Sequence, residues 1–217
     1  MNKIIQILQD IKEQENDDKI IGSKYEEYVA SKLSLANLKY ISSDVWKRDY
    51  KEYRKSYLTS NYDFLHNFTN ITLESGKQDD NLVIHQPNGS QRSPDLLIIK
   101  NKIGFFIEVK TGKINPAWNS GRLHDAGLYI FKNYKLKDVT YFLKSDIIDS
   151  CLSRILDEAL QEQYKIKEKY TKLLKQYSIP TSKWTYDNRA IFQDKNDYFG
   201  SLKLRREDNV KNFLLSI

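Results

Sequence analysis

The stretch that most constrains this chain runs over residues 93–113, SPDLLIIKNKIGFFIEVKTGK. It holds two apolar runs, 96–99 and 105–107, each too short for a helix and rich in β-branched or aromatic residues, so both are expected as buried strands. Residues 101–104 between them supply a turn, with Gly104 able to take positive φ, and the segment is expected as a β-hairpin. Side chains of a strand alternate between faces, so Glu108 and Lys110 share one face while Phe105, Ile107 and Val109 take the other. With Lys102 and Ile103 as the central turn residues, Asn101 lies opposite Gly104 and paired residue numbers sum to 205, which sets Asp95 opposite Lys110. Asp95, Glu108 and Lys110 then converge, and a slip of one residue would separate them.

Charges withdrawn from water must be paired or bound to metal. Two carboxylates and an ammonium at one end of a buried hairpin therefore point to a divalent ion, and hard oxygen ligands that leave room for water and phosphate oxygens suit Mg²⁺. A bound water of lowered pKa can attack phosphorus, with Lys110 placed to orient it and to offset developing charge.

Pro94-Asp95 followed by Glu108-Val109-Lys110 resembles the active-site motif of the PD-(D/E)XK nuclease superfamily. The resemblance implies that Asp95 and Glu108 hold the metal and that Lys110 completes the catalytic set. It also implies an acid from a preceding helix. The pattern Gly22-Ser23-Lys24-Tyr25-Glu26 is similar to that helix, which makes Glu26 the candidate. Ser23 and Glu26 equally spell a capping box, in which Ser23 is the N-cap and the glutamate folds back onto the cap amide; Glu27 is a third option. Gly89-Ser90-Gln91 just before the motif resembles a stretch in several restriction enzymes of the superfamily, so Gln91 is expected to line the site or to be a turn residue.

The chain has 217 residues, 40% hydrophobic and 29% charged, which fits one globular domain. One cysteine, Cys151, allows neither an internal disulfide nor a cysteine metal cluster, and is expected to pack in a core at a helix start. No apolar run approaches membrane-spanning length and the first sixteen residues lack a signal-peptide pattern, so a cytoplasmic protein is expected. Of the net charge of +6, residues 151–217 carry +4, thirteen Lys and Arg against nine Asp and Glu. That bias suits either nucleic acid or solvated helix faces.

Helices are expected over the first dozen residues, from Ile4, Ile5, Leu8 and Ile11, and after Gly22, with Tyr25, Tyr28, Val29 and Leu33 buried. Residues 47–68 interleave Tyr50, Tyr53, Tyr57 and Phe64 with Lys51, Arg54 and Lys55, a core stripe or a base-stacking surface. Strands are expected over 81–86, 128–131 and 139–143, giving with the hairpin a mixed sheet of about five strands. The polar loop 113–127 starts at the end of the catalytic strand and either offers Lys113, Trp118, Asn119 and Arg122 to DNA or is an ordinary surface loop with Trp118 packed beneath it. A long helical stretch from Ile147 to Tyr177 follows, whose portion 165–175, rich in Lys and Glu, is a solvated face or a dimer arm, and Lys203, Arg205 and Arg206 are placed to meet a DNA backbone.

The expected fold is α/β, a central mixed sheet flanked by helices in a restriction-endonuclease-like core at about 20–150, with an added helical C-terminal part at about 146–217 in a single domain. No P-loop, dinucleotide fingerprint, zinc ligand set or Ser-His-Asp pattern is present. The resemblance implies a Mg²⁺-dependent type II restriction endonuclease that acts on double-stranded DNA as a homodimer, alongside a cognate DNA methyltransferase in the same system. A structure-specific repair or recombination nuclease, or a catalytically silent DNA-binding protein, are the alternatives.

Overall fold

The computed structural model describes residues 1–14, 19–51, 81–88, 94–100, 103–118, 127–184, 186, 192–193 and 195–217. Most of the aromatic stretch 47–68 therefore lies outside the described residues, as do Gln91, Asn119 and Arg122. The chain divides into two compact units, Met1–Pro116 with His124–Ile147 and Lys195–Ile217, and Ala117–Leu123 with Ile148–Asp194.

The first unit is built on a six-stranded mixed sheet. Its strands are β1 (Lys39–Ile41), β2 (Asn81–His85), β3 (Leu96–Lys100), β4 (Ile103–Gly112), β6 (Gly127–Asn133) and β7 (Asp138–Leu143), hydrogen-bonded in that order. The pairs β1–β2 and β4–β6 are parallel, the others antiparallel. The sheet has one strand more than the sequence suggests, because β1 spans three residues and shows no alternation to read.

Alternation along the strands divides the core into two layers. Val83, Leu96, Ile98, Phe105, Ile107, Val109, Leu128 and Ile130 pack against α1 (Asn2–Gln14), α2 (Ser23–Ser34) and α5 (Lys203–Ser216), through Ile4, Leu8, Val29, Leu33, Val210 and Leu214. On the opposite face Leu82, Ile84, Leu97, Ile99 and Phe106 meet Trp46 and Tyr50, which stack at 5.7 Å. Trp46 is carried by α3 (Ser43–Asp49), whose N-cap Ser42 accepts a hydrogen bond from the Val45 amide. Each fully buried aliphatic or aromatic side chain of these layers contributes roughly 1.5–3 kcal/mol. Both terminal helices thus belong to the sheet unit, although the sequence confines its core to about 20–150.

The hairpin forms in a different register from the expected one. Pairs run Leu96↔Ile107 to Lys100↔Ile103, so paired numbers sum to 203. Gly104 is a strand residue opposite Ile99, without positive φ. The displacement is two residues, the period of a strand, so every side chain keeps its face. Continued past Leu96, this register sets Asp95 opposite Glu108, not Lys110.

The start of α2 is fixed by a glycine. Gly22 is the N-cap, at φ 57° and ψ −136°, and Ser23 is the first helical residue, so the expected Ser23 cap is not formed. The Gly22 amide donates to Thr111 Oγ1 at 3.2 Å, and two residues earlier the Ile20 carbonyl accepts from buried Lys132 Nζ at 3.0 Å. Register places Thr111 opposite Lys132, so this loop is held by adjacent strands. Nothing lies within 4 Å of where a Cβ on Gly22 would sit. Gly22→Ala therefore isolates backbone strain and is expected to lower the unfolding free energy by about 1–3 kcal/mol in urea titrations. An unchanged denaturation midpoint would refute the assigned conformation.

The second unit holds α4 (Ser150–Gln176), capped by Asp149, and the two-stranded pair β5 (Ala117–Trp118) and β8 (Phe192–Gln193). The sequence expects Cys151 in a core, but it is exposed. The physical reason is plain in the helix itself, which buries none of its residues.

Candidate active site

The end of β4 and the start of β3 bring Asp95, Glu108 and Lys110 onto one face of the sheet. Further in, that face is apolar, with Phe106 opposite Leu97. The site is therefore charged only at its mouth. Lys110 Nζ lies 3.1 Å from Glu108 Oε1 and 3.9 Å from Asp95 Oδ2, bridging the two acids. Backbone groups lock the carboxylates in place. The Asp95 amide donates to Glu108 Oε2 at 3.1 Å, and the Val109 amide donates to Asp95 Oδ2 at 2.8 Å.

Glu26 enters from the helical layer. It does not fold back on the helix as a capping box would have it: its Oε2 accepts from Gln86 Nε2 at 3.0 Å and lies 3.5 Å from His85 Nε2. Glu27, the third option, is exposed. His85 Nδ1 lies 3.4 Å from the Tyr40 hydroxyl, which completes a chain from β1 to the helix start.

Gln86 and His85 are the participants that the sequence did not point to. Gln86 follows β2 with φ 50°, and its amide donates to the Asp95 carbonyl at 2.7 Å while its side chain holds Glu26. It ties two candidate acids together. The only local signal is its place, a polar residue between a strand and Pro87. The glutamine that the sequence proposed, Gln91, lies outside the described residues.

Electrostatics follows from this packing. Burial, then the neighbouring Glu108 charge, push Asp95 up to about 8, with Glu26 adding to the effect and Lys110 and the Val109 amide opposing it. Burial works against the charged form of Lys110, but Glu108 and Asp95 outweigh it and hold the ammonium above its usual range. For Glu26 burial acts upward, yet the close approach of His85, the hydrogen bond from Gln86 and the nearby Lys110 ammonium keep it below the usual glutamate range.

A pH dependence follows for the metal-free protein. Because Asp95 titrates higher folded than unfolded, its contribution to stability is complete below about pH 4 and is lost as pH rises through about 8. Thermal melts of wild type should fall across that window relative to Asp95→Asn, which has no proton to lose. Parallel melting curves for the two proteins would show that Asp95 carries no such burden.

The donor set fits a divalent cation. Ionised Asp95 is disfavoured beside Glu108, and a dication between the two carboxylates reverses that balance. Asp95 and Glu108 would hold the ion, with Glu26 in the electrostatic neighbourhood of both Asp95 and Lys110. Among the described residues no closed set of three or more His, Cys, Asp or Glu forms a metal cage. Two carboxylates with open positions are the usual provision for Mg²⁺ that shares its shell with water and phosphate.

The other expected contact residues have diverse surroundings. Lys113 is exposed just beyond β4, on a groove of about 390 Å³ that Lys135, Lys195 and Asn196 also line. Lys203 instead pairs with Asp138 at 2.6 Å, and Arg206 is buried, donating to the Asp197 carbonyl at 2.7 Å and lying over the Tyr198 ring. Both are engaged inside the protein, in keeping with their positions on the buried side of α5. Arg205 is exposed. Trp118 belongs to β5, in the second unit.

Comparison with known proteins finds no matching family model, and no curated protein or solved structure similar to the chain. Among the described residues no helix is long and apolar enough to cross a membrane.

Proposed function

We propose that this chain is a Mg²⁺-dependent endodeoxyribonuclease of the PD-(D/E)XK superfamily, a sequence-specific type II restriction endonuclease. The observation that carries the reading is Lys110 Nζ set between Glu108 and Asp95 at one end of a mixed sheet. The order Pro94-Asp95 then Glu108-Val109-Lys110 matches the superfamily's motif.

Asp95 and Glu108 would hold the ion, their carboxylates oriented by the Val109 and Asp95 amides. When bound, Mg²⁺ supplies Lewis-acid polarisation of the phosphate and lowers the pKa of a water. Lys110 stays protonated between the two acids, donates to the attacking water and faces the negative charge that develops on phosphorus. Glu26, ionised and fixed by Gln86, adds an acceptor from the α2 side.

Double-stranded DNA is the substrate in this reading, with Lys113 and Arg205 as exposed backbone contacts and Gln91, Trp118, Asn119 and Arg122 as further candidates. A homodimer matches the two-fold symmetry of duplex cleavage. A cytoplasmic location, with a separate methyltransferase protecting host DNA, completes the assignment.

The test is to incubate the protein with unmethylated phage DNA and Mg²⁺ and to sequence the ends. Cutting at one repeated sequence supports restriction. Preference for flaps or junctions moves the chain to the repair class, and binding without cleavage would make it a silent DNA-binding protein.

A further inference from the structure

We infer that α4 is an antiparallel dimerisation helix whose partner is the α4 of a second copy of this chain. The helix has 27 residues, about 40 Å, and none is buried. A helix of that length with no buried residue needs an apolar face covered if it is to persist.

From Leu152 to the C-cap Tyr177 the sequence carries an unbroken spacing of alternating four and three residues: Leu152, Leu156, Ala159, Gln163, Ile166, Tyr170, Leu173, Tyr177. That is the seam of a two-stranded coiled coil, with Gln163 as the one polar position that fixes register. Leu152, Ile166, Tyr170 and Tyr177 are 41%, 39%, 42% and 72% exposed.

Charge gives the seam its direction. Residues 150–163 hold Arg154 against Asp157, Glu158 and Glu162, whereas 164–176 hold five lysines against Glu168. A parallel pair would set basic half against basic half. An antiparallel pair sets each acidic half against its partner's basic half, and one two-fold axis satisfies both contacts.

The register follows. With the axis between Tyr164 and Lys165, Leu156 meets Leu173 of the second copy, small Ala159 meets large Tyr170, and Gln163 meets Ile166. Glu162 and Lys169 then flank the seam on the same side, giving two symmetric ion pairs. Leu152 is directed to the far end, where Tyr170, Leu174, Ile179, Trp184 and Tyr186 line an apolar groove of about 270 Å³. The Tyr170 and Tyr186 rings meet there at 4.7 Å, tilted by 31°, and Trp184 is 68% exposed. Such a groove accepts a leucine knob from the partner.

This deepens the dimer proposed above but does not need the nuclease reading, since sedimentation reports it without any cleavage assay. The experiment is sedimentation equilibrium on the full chain at micromolar concentration, without DNA. Wild type should be a dimer, and Leu156→Glu should weaken association about 100-fold or more while circular dichroism keeps its shape. Glu162→Lys and Lys169→Glu should each weaken it, and the double exchange should restore it. A monomeric wild type, or a dimer indifferent to Leu156→Glu, would overturn the proposal. Failure of the double exchange to rescue would overturn the antiparallel register, because a parallel pair brings Glu162 to Lys167 instead.

Discussion

Asp95→Asn is expected to reduce single-turnover cleavage in Mg²⁺ by about 1,000-fold or more while leaving the fold intact, since one ligated carboxylate contributes several kcal/mol of charge stabilisation. The amide is a close isostere. Its oxygen can still accept from the Val109 amide, and its nitrogen can turn away from Lys110, which lies 3.9 Å from the carboxylate. Glu108 offers no such neutral exchange. Both of its oxygens already accept, one from the Asp95 amide and one from Lys110, so a glutamine would point its NH₂ at a donor. Glu108→Ala is the better partner variant, and it should abolish cleavage to the same extent. Duplex binding in Ca²⁺ should remain measurable for both. Near-normal cleavage by either variant would sink the assignment.

Lys110→Met is the second large effect, and the more discriminating one. Methionine keeps the apolar stem and removes the charge, so the strand survives while Asp95 and Glu108 lose the cation that bridges them. Their mutual repulsion rises in the metal-free protein, and a dication becomes the remaining source of positive charge between them. Cleavage should therefore fall by a factor of about 100 to 10,000, as for loss of a positioned proton donor. Ca²⁺ affinity, read by calorimetry in parallel with wild type, should stay equal or tighten. If affinity and rate collapse together, Lys110 holds the geometry of the acids; if the rate is unchanged, Lys110 has no part in the chemistry.

How much of this was legible in the sequence depends on the range of the interactions. Alternation along a strand is local, so the shared face of Glu108 and Lys110 could be read from residues 105–110 alone. Register is less local, because it depends on which residues the turn consumes. Placing the turn at Lys102-Ile103 missed the observed pairing by two residues, and only because two is the strand period did the site survive the error. The contact between Glu26 and Gln86 spans 60 residues of chain, and no pattern in either neighbourhood announces it. The Ser23 cap failed for a related reason: Gly22 can adopt a backbone angle that serine resists, and Thr111, far along the chain, takes its amide. Lys203 and Arg206 were read as surface cations from composition, whereas acceptors on other segments draw them inward.

The tether at Gly22 has a mechanical consequence. Thr111, which receives the Gly22 amide, is the residue next to Lys110 on β4. One strand thus carries Glu108 and Lys110 and also the fastening of the helix that brings Glu26. Swinging α2 away from the sheet would mean breaking that fastening and the Lys132 bond to Ile20 together, at a place where β4 is zipped to β6. The helix that carries Glu26 is thereby pinned to the strand that carries Glu108 and Lys110, so the spacing of these side chains is set by the sheet.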